Sequence, residues 1–220
     1  MRIIKQLALQ TFRIGAVLIV CFIFLTGSSV LLVRFFNPPF SSFMVWESNF
    51  FQKKIDYSWT PISNMGKNIA LSIVATEDSN FCNHIGVDIK EIYKVVTKGE
   101  KRGASTITQQ LAKNLFLTPE RSFTRKLHEL ILSFWLEMRF SKEQILSIYL
   151  NRVYLGSGTY GVQAASEKYF NKKVEDLSLY ESAVIASLLK APSKYNPLAN
   201  FELSKKRASL VLNNMAKNNM

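Results

Sequence analysis

Hydrophobic and polar positions follow two regimes along this chain. From Ile14 to Val33 nothing alternates: twenty successive residues carry no charge. At the helical rise, that run spans about 30 Å, the thickness of a bilayer's hydrocarbon core. Residues 14–33 are therefore predicted to form a transmembrane helix behind a short N-terminus of residues 1–13. Gly27-Ser28-Ser29 offers a small-residue cleavage region, but the apolar run resumes at Val30-Leu31-Leu32-Val33. Its length exceeds the roughly 7–15 residues of a signal core, which favours a retained anchor.

Beyond Pro61 the pattern turns periodic, and the period is helical. Ile69 to Thr76 is an apolar helix-like run, and Val87 to Thr97 carries a stripe of Val87, Ile89, Ile92, Val95 and Val96. Ser105 or Thr106 is placed to cap a helix through Leu111 and Leu115; Pro119 interrupts it. Ser122 is placed to cap a helix reaching about Phe140, with an apolar stripe of Leu127, Leu130, Ile131, Phe134 and Met138. Lys142 to Leu150, Ser178 to Leu189 and about Ser204 to Met215 complete the set. Strand signals are few and short. The expectation is a mainly α domain over residues 61–220. A juxtamembrane segment, 34–60, joins it to the anchor. That segment holds Phe35, Phe36, Phe40, Phe43, Trp46, Phe50 and Phe51, a crowding that suits a membrane–water interface or a surface packed on the domain.

Charge refines the picture. Arg2, Lys5 and Arg13 precede the span with no acid among them, so the positive-inside rule leaves the N-terminus in the cytoplasm and the domain outside the inner membrane. A net charge of +12 admits nucleic acid, anionic lipid or a phosphate-bearing substrate as partner. The external orientation, and the lack of a nucleic-acid-binding motif, argue against the first. Lys172, Lys173, Lys205 and Lys206 read as a solvated basic face. Cys21 lies inside the span and Cys82 in the domain, so no disulfide framework and no CxxC site is expected. His84 and His128 match no metal-ligand spacing, and no metal site of protein ligands is predicted.

Three polar clusters carry candidate chemistry. Glu77-Asp78 ends an apolar run; a carboxylate at such an edge is partly desolvated and gains proton affinity, as a general base requires. Ser105-Thr106-Ile107-Thr108-Gln109-Gln110 offers hydroxyls, amides and the N–H groups of a helix start, with Lys113 one turn beyond on the same side. Arg121, Arg125 and Glu129 share one side of the next helix, away from its apolar stripe; they form either a surface ion pair or a polar wall facing a cleft. Lys113 and Arg121 are cations suited to a pyrophosphate. Gly156-Ser157-Gly158-Thr159-Tyr160-Gly161 fits G-x-G-x-x-G, but its helical surroundings lack the βαβ unit of a dinucleotide site, and it is read as a tight interhelical loop.

In chain order, five blocks together resemble the peptidoglycan glycosyltransferase family, the one shared by monofunctional transglycosylases and penicillin-binding proteins. They are Glu77 to Phe81 with His84, Gly86 and Asp88; Gly103 to Gln110 with Lys113 and Asn114; Arg125-Lys126 with Glu129; Leu150-Asn151 through Gly156 to Tyr160-Gly161; and Glu181 through Ala191-Pro192-Ser193 to Tyr195-Asn196-Pro197. Ala104 departs from the second glycine of many members. The resemblance implies a lysozyme-like helical glycosyltransferase domain behind a single N-terminal transmembrane helix. The implied reaction polymerises lipid II at the bacterial inner membrane. Glu77 would be the general base for the acceptor's 4-hydroxyl; Lys113 and Arg121 would stabilise the departing pyrophosphate. Glu129 would support the pyrophosphate through a divalent cation, or by orienting the cations. Asp78, Ser105, Thr106, Gln109, Gln110, Arg125 and Lys126 would complete the substrate contacts. No cofactor is obligatory. Lipid II, the growing glycan strand and cell-wall synthesis or division proteins are the implied partners. With no transpeptidase segment after Met220, the monofunctional type is expected.

Two other classes compete. A lytic enzyme on the same polymer would use Glu77 as an acid, but has no pyrophosphate to hold. A membrane scaffold would need the anchor but none of the polar blocks.

Overall fold

The computed structural model describes residues 2–35, 38–51, 54–99, 103–120 and 122–220. The chain is mainly helical. Helix α1 (Arg2–Phe35) leads to α2 (Ser42–Phe51) and then α3 (Lys67–Glu77), α4 (Ile89–Lys98), α5 (Ile107–Phe116), α6 (Phe123–Arg139) and α7 (Lys142–Arg152). Then come α8 (Val162–Phe170), α9 (Leu179–Leu188) and α10 (Phe201–Lys217). Two short parallel strands, β1 (Asp56–Tyr57) and β2 (Thr159–Tyr160), pair Asp56 with Thr159.

Local chemistry sets the helix ends. Thr106, Ser141 and Ser178 each cap the third residue of their helix, and Gln109, Gln144 and Glu181 reach back to the cap's own N–H. Thr106, not Ser105, is the cap of α5. The core gathers around two helices. In α9 every residue from Ser182 to Leu188 is buried, as a helix apolar on all sides requires; α3 and α10 pack against it. Helix α5 buries Ile107, Leu111, Ala112 and Leu115 against α6 and α7.

Within α1, Leu9–Arg34 is 26 residues long and apolar enough to cross a membrane. Its C-terminal half lies against α6. A Cβ on Gly27 would sit 3.3 Å from the Trp135 ring, the Phe22 and His128 rings are 5.0 Å apart, and Arg34 donates to the Arg139 carbonyl. The outward face of α6 is partly apolar. Of its predicted apolar stripe, Leu127, Phe134 and Met138 are exposed and Leu130 and Ile131 half-buried, while Glu129, Leu132, Ser133 and Leu136 are buried. The stripe predicted for α4 also faces out: Ile89 and Val96 are 76% and 74% exposed, and α4 buries no residue.

The juxtamembrane segment packs on the domain. Ser42 donates to the carbonyls of Asn114 and Leu117 at the end of α5, and Met44 is fully buried. Phe35, Phe36, Phe50 and Phe51 have side chains outside the described residues. Arg152 is fully buried; its guanidinium donates to the Pro38 carbonyl and lies over the rings of Tyr57 and Trp59. Burial holds it below the usual arginine range. The glycine-rich loop is more than an interhelical turn, since it contains β2. Gly161 has φ +82°, and a Cβ there would lie 2.7 Å from the Asn151 carbonyl.

Candidate active site

Glu77 is the last residue of α3, where the helix's negative end already disfavours a carboxylate. Burial raises its pKa above the ordinary value; the hydrogen bond from Gln110 and the charges of Arg207, Lys190 and Lys113 oppose that rise. Gln110 Nε2 donates to Glu77 Oε2 at 2.7 Å. A cleft of about 840 Å³ opens beside the carboxylate, lined among others by Ser105, Gln110, Lys190, Arg207 and Lys217.

A second cluster lies between α5 and α6. Glu129 is only 3% exposed, so it is not half of a surface ion pair. One oxygen accepts from Arg125 Nη1 at 2.8 Å, and the other accepts from Lys126 Nζ. Lys126 also donates to Ser105 Oγ at 3.0 Å and Gln109 Oε1 at 3.3 Å. Ser105 therefore joins this cluster to the cleft. Lys113 Nζ sits 5.7 Å from the centre of the Phe43 ring on α2, within the fields of Glu129, Arg125, Lys126 and Glu77. Burial lowers its pKa from the usual lysine value; Arg125 and Lys126 add to the drop, and Glu129 and Glu77 oppose it. Three cations against Glu129 leave an excess that an incoming polyanion would neutralise. Arg125 Nε is buried without a hydrogen-bond partner among the described residues.

Two expected substrate contacts, Asp78 and Thr106, line the cleft and also tie its framework together. Asp78 accepts from Ile107 N–H at 3.0 Å and pairs with His84 Nε2 at 2.9 Å, which fixes its carboxylate at the cleft wall. Thr106 donates to the Gly86 carbonyl at 2.6 Å and accepts from Gln109 N–H. Because Ile107 and Gln109 have spent their N–H groups on Asp78 and Thr106, the start of α5 does not offer them to a phosphate. Affinity for an anion rests on the side-chain cations. Gln109 is buried and helps hold Lys126. Arg121 lies outside the described residues.

The donor set does not suit a protein-held divalent cation. Both Glu129 oxygens are taken by cations, and among the described residues no three of His, Cys, Asp and Glu cluster.

Lys190, Arg207 and Tyr149 were not singled out by the sequence. Lys190 directly precedes Ala191-Pro192-Ser193, a block already chosen, and its neighbours were the available signal. Arg207 follows Lys205 and Lys206, which are exposed as a solvated face should be, while Arg207 turns toward Glu77. Tyr149 carried no signal, being one more apolar position of a helix.

The chain matches the family model described as Transglycosylase over residues 47–216. It belongs to the transglycosylase family. The domain is accordingly of the lysozyme-like helical type. A penicillin-binding protein 1A of Neisseria flavescens is 45% identical over 167 residues, covering 74% of this chain and 21% of the relative. Another, from Aquifex aeolicus, is 46% identical over 162 residues, 71% of this chain and 22% of the relative. The chain thus spans about a fifth of the length of these relatives. A solved penicillin-binding protein 1A from Haemophilus influenzae aligns over 74% of this chain and 15% of its own, with 24% identity and a TM-score of 0.43. Similarity to these longer proteins does not separate the monofunctional from the bifunctional type.

Proposed function

We propose that this transglycosylase domain polymerises peptidoglycan glycan strands from lipid II at the outer face of the inner membrane. The reading is supported chiefly by one arrangement: a half-buried carboxyl of raised proton affinity at the cleft, Glu77, shares its surroundings with cations on two sides. Glu77 takes the proton of the acceptor GlcNAc 4-hydroxyl as that oxygen attacks the anomeric carbon of the lipid-linked MurNAc. A β-1,4 link forms with inversion, and the C–O bond to undecaprenyl diphosphate breaks. Lys113, Arg125 and Lys126 receive the negative charge that develops on the departing diphosphate. Glu129 orients Arg125 and Lys126. Ser105 and Gln110 line the cleft where the sugars lie. Asp78 and Thr106 hold α5 beside Glu77, which makes them positioning residues. Arg121 completes the diphosphate cradle in this proposal on resemblance alone.

The membrane enters through the substrate. Lipid II carries its reacting group on a lipid tail, so an anchored enzyme meets it by diffusion in two dimensions. Helix α1, with its N-terminus in the cytoplasm, serves as that anchor. The exposed Phe123, Leu127, Phe134 and Met138 of α6 lie on the helix that packs against it.

The test is incubation of the purified full chain with lipid II in detergent, with products separated by size. Long glycan that muramidase digests is the expected product. Cleavage of preformed glycan with no polymer from lipid II would replace this reading by the lytic one.

A further inference from the structure

Tyr149, on α7, is fully buried and does not itself line the cleft, yet its hydroxyl is tied to the proposed base through one residue that does. Tyr149 Oη donates to Gln110 Oε1 at 2.8 Å, and Gln110 Nε2 donates to Glu77 Oε2 at 2.7 Å. We propose that Tyr149 is a positioning residue that fixes the orientation of the Gln110 amide and thereby keeps Glu77 in its ionised, proton-accepting form. The inference rests on the reading of Glu77 as general base.

The logic lies in the donor and acceptor inventory. An amide has one face that donates and one that accepts, and a flip of the group exchanges them. An ionised carboxylate only accepts, so it requires the NH₂ side; a protonated carboxyl can donate, so it tolerates the oxygen side. A phenol hydroxyl donating to Oε1 selects the orientation that suits the carboxylate. The fields of Glu77 and Asp78, added to complete burial, push the Tyr149 phenol well above its usual pKa, so it remains a donor throughout the working range. The relay opposes the burial that favours the neutral acid. Other charges face Glu77 too: Lys113 from α5, Arg207 from α10, and Lys190 just beyond α9. Their fields act at a distance and do not choose between the two orientations of the amide, whereas Tyr149 does.

Removing the phenol oxygen leaves Gln110 Oε1 without its donor in a buried site. The amide is then free to turn that oxygen toward Glu77, an arrangement stable only when Glu77 is protonated. The consequence is a shift in the pH dependence of the reaction, not a uniform loss.

The experiment measures kcat for lipid II polymerisation against pH with the full chain, for wild type, Tyr149→Phe, Gln110→Met and the double variant, with Glu77→Gln as reference. Tyr149→Phe moves the acid limb up by about one pH unit, so a pH on the limb shows about a tenfold loss that largely disappears at higher pH. Gln110→Met moves the limb at least as far, and adding Tyr149→Phe to it moves the limb no further, because the effect passes through Gln110. This arm stands independently if Tyr149→Phe does not fold. A loss of equal size at every pH, or an unmoved limb in Gln110→Met, overturns the relay while an inactive Glu77→Gln leaves the base assignment standing. Full activity in Glu77→Gln overturns the base assignment and the relay with it.

Discussion

Replacing Glu129 by Gln removes the buried charge from a group of three. Arg125 and Lys126 then face each other, and Lys113, with no anion between them. Removing one partner from a buried ion pair typically costs about 3–5 kcal/mol, since the remaining charge is stranded. The two partners are not equally trapped. The Lys126 side chain is 44% exposed and turns to water, whereas Arg125 is 17% exposed and held along α6. The lower end, about 3 kcal/mol, is therefore expected. For a chain of this size each kcal/mol moves the unfolding midpoint by about 2–4 °C, so Glu129→Gln should melt about 6–12 °C lower. The loss should be partly reversible by ligand: pyrophosphate supplies the missing negative charge and should raise the variant's midpoint more than the wild type's. Thermal unfolding of both proteins in the same detergent, with and without pyrophosphate, checks this. A midpoint within about 2 °C of wild type, with no selective stabilisation by pyrophosphate, would refute the view of Glu129 as the counter-charge of an anion cradle.

The pH dependence follows from two opposed shifts. Glu77 must be ionised to accept a proton, and burial raises its pKa, so the acid limb of the pH–rate profile should lie above the ordinary carboxyl range. Lys113 must be charged and burial lowers its pKa, so the alkaline limb should lie below the ordinary lysine range; mutating Lys113 to Ala should cost rate at every pH between the limbs. The raised pKa also has a cost in stability. Its contribution is present below the unfolded value and lost as pH rises through the folded one, so Glu77→Gln should melt higher than wild type above that window and equally below it. Gly86→Ala should destabilise by about 1–2 kcal/mol because φ is +72° there, with more from a Cβ 3.1 Å from Ser133 Oγ. Chemical denaturation reads that loss, and an unchanged midpoint would show that the Gly86 turn relaxes freely.

Much of the fold was legible because local signals agreed. Ser122, Ser178 and the Thr106/Gln109 pair mark helix starts with the donors and acceptors the structure uses. The position of Glu77 at the end of an apolar run did indicate a desolvated carboxylate. What failed was the assumption that an apolar stripe faces the core. In α6 much of that stripe faces outward, and Glu129, on the polar side, is buried, with Arg125 half-buried beside it. Asp78 shows a different limit. A carboxylate next to the proposed base looks like chemistry, but its partner is the Ile107 N–H, 29 positions away, which no local pattern reveals. Tyr149 and Arg207 were hidden for the same reason: their roles are set by helices that meet only in the fold.

The central claim is that the Glu77 carboxylate performs the proton transfer. Glu77→Gln keeps the shape of the side chain and removes only its capacity as a base. In a lipid II polymerisation assay at neutral pH, the variant should be folded, should melt no lower than wild type and should make no glycan polymer. Polymer formed by that variant at the wild-type rate would contradict the account.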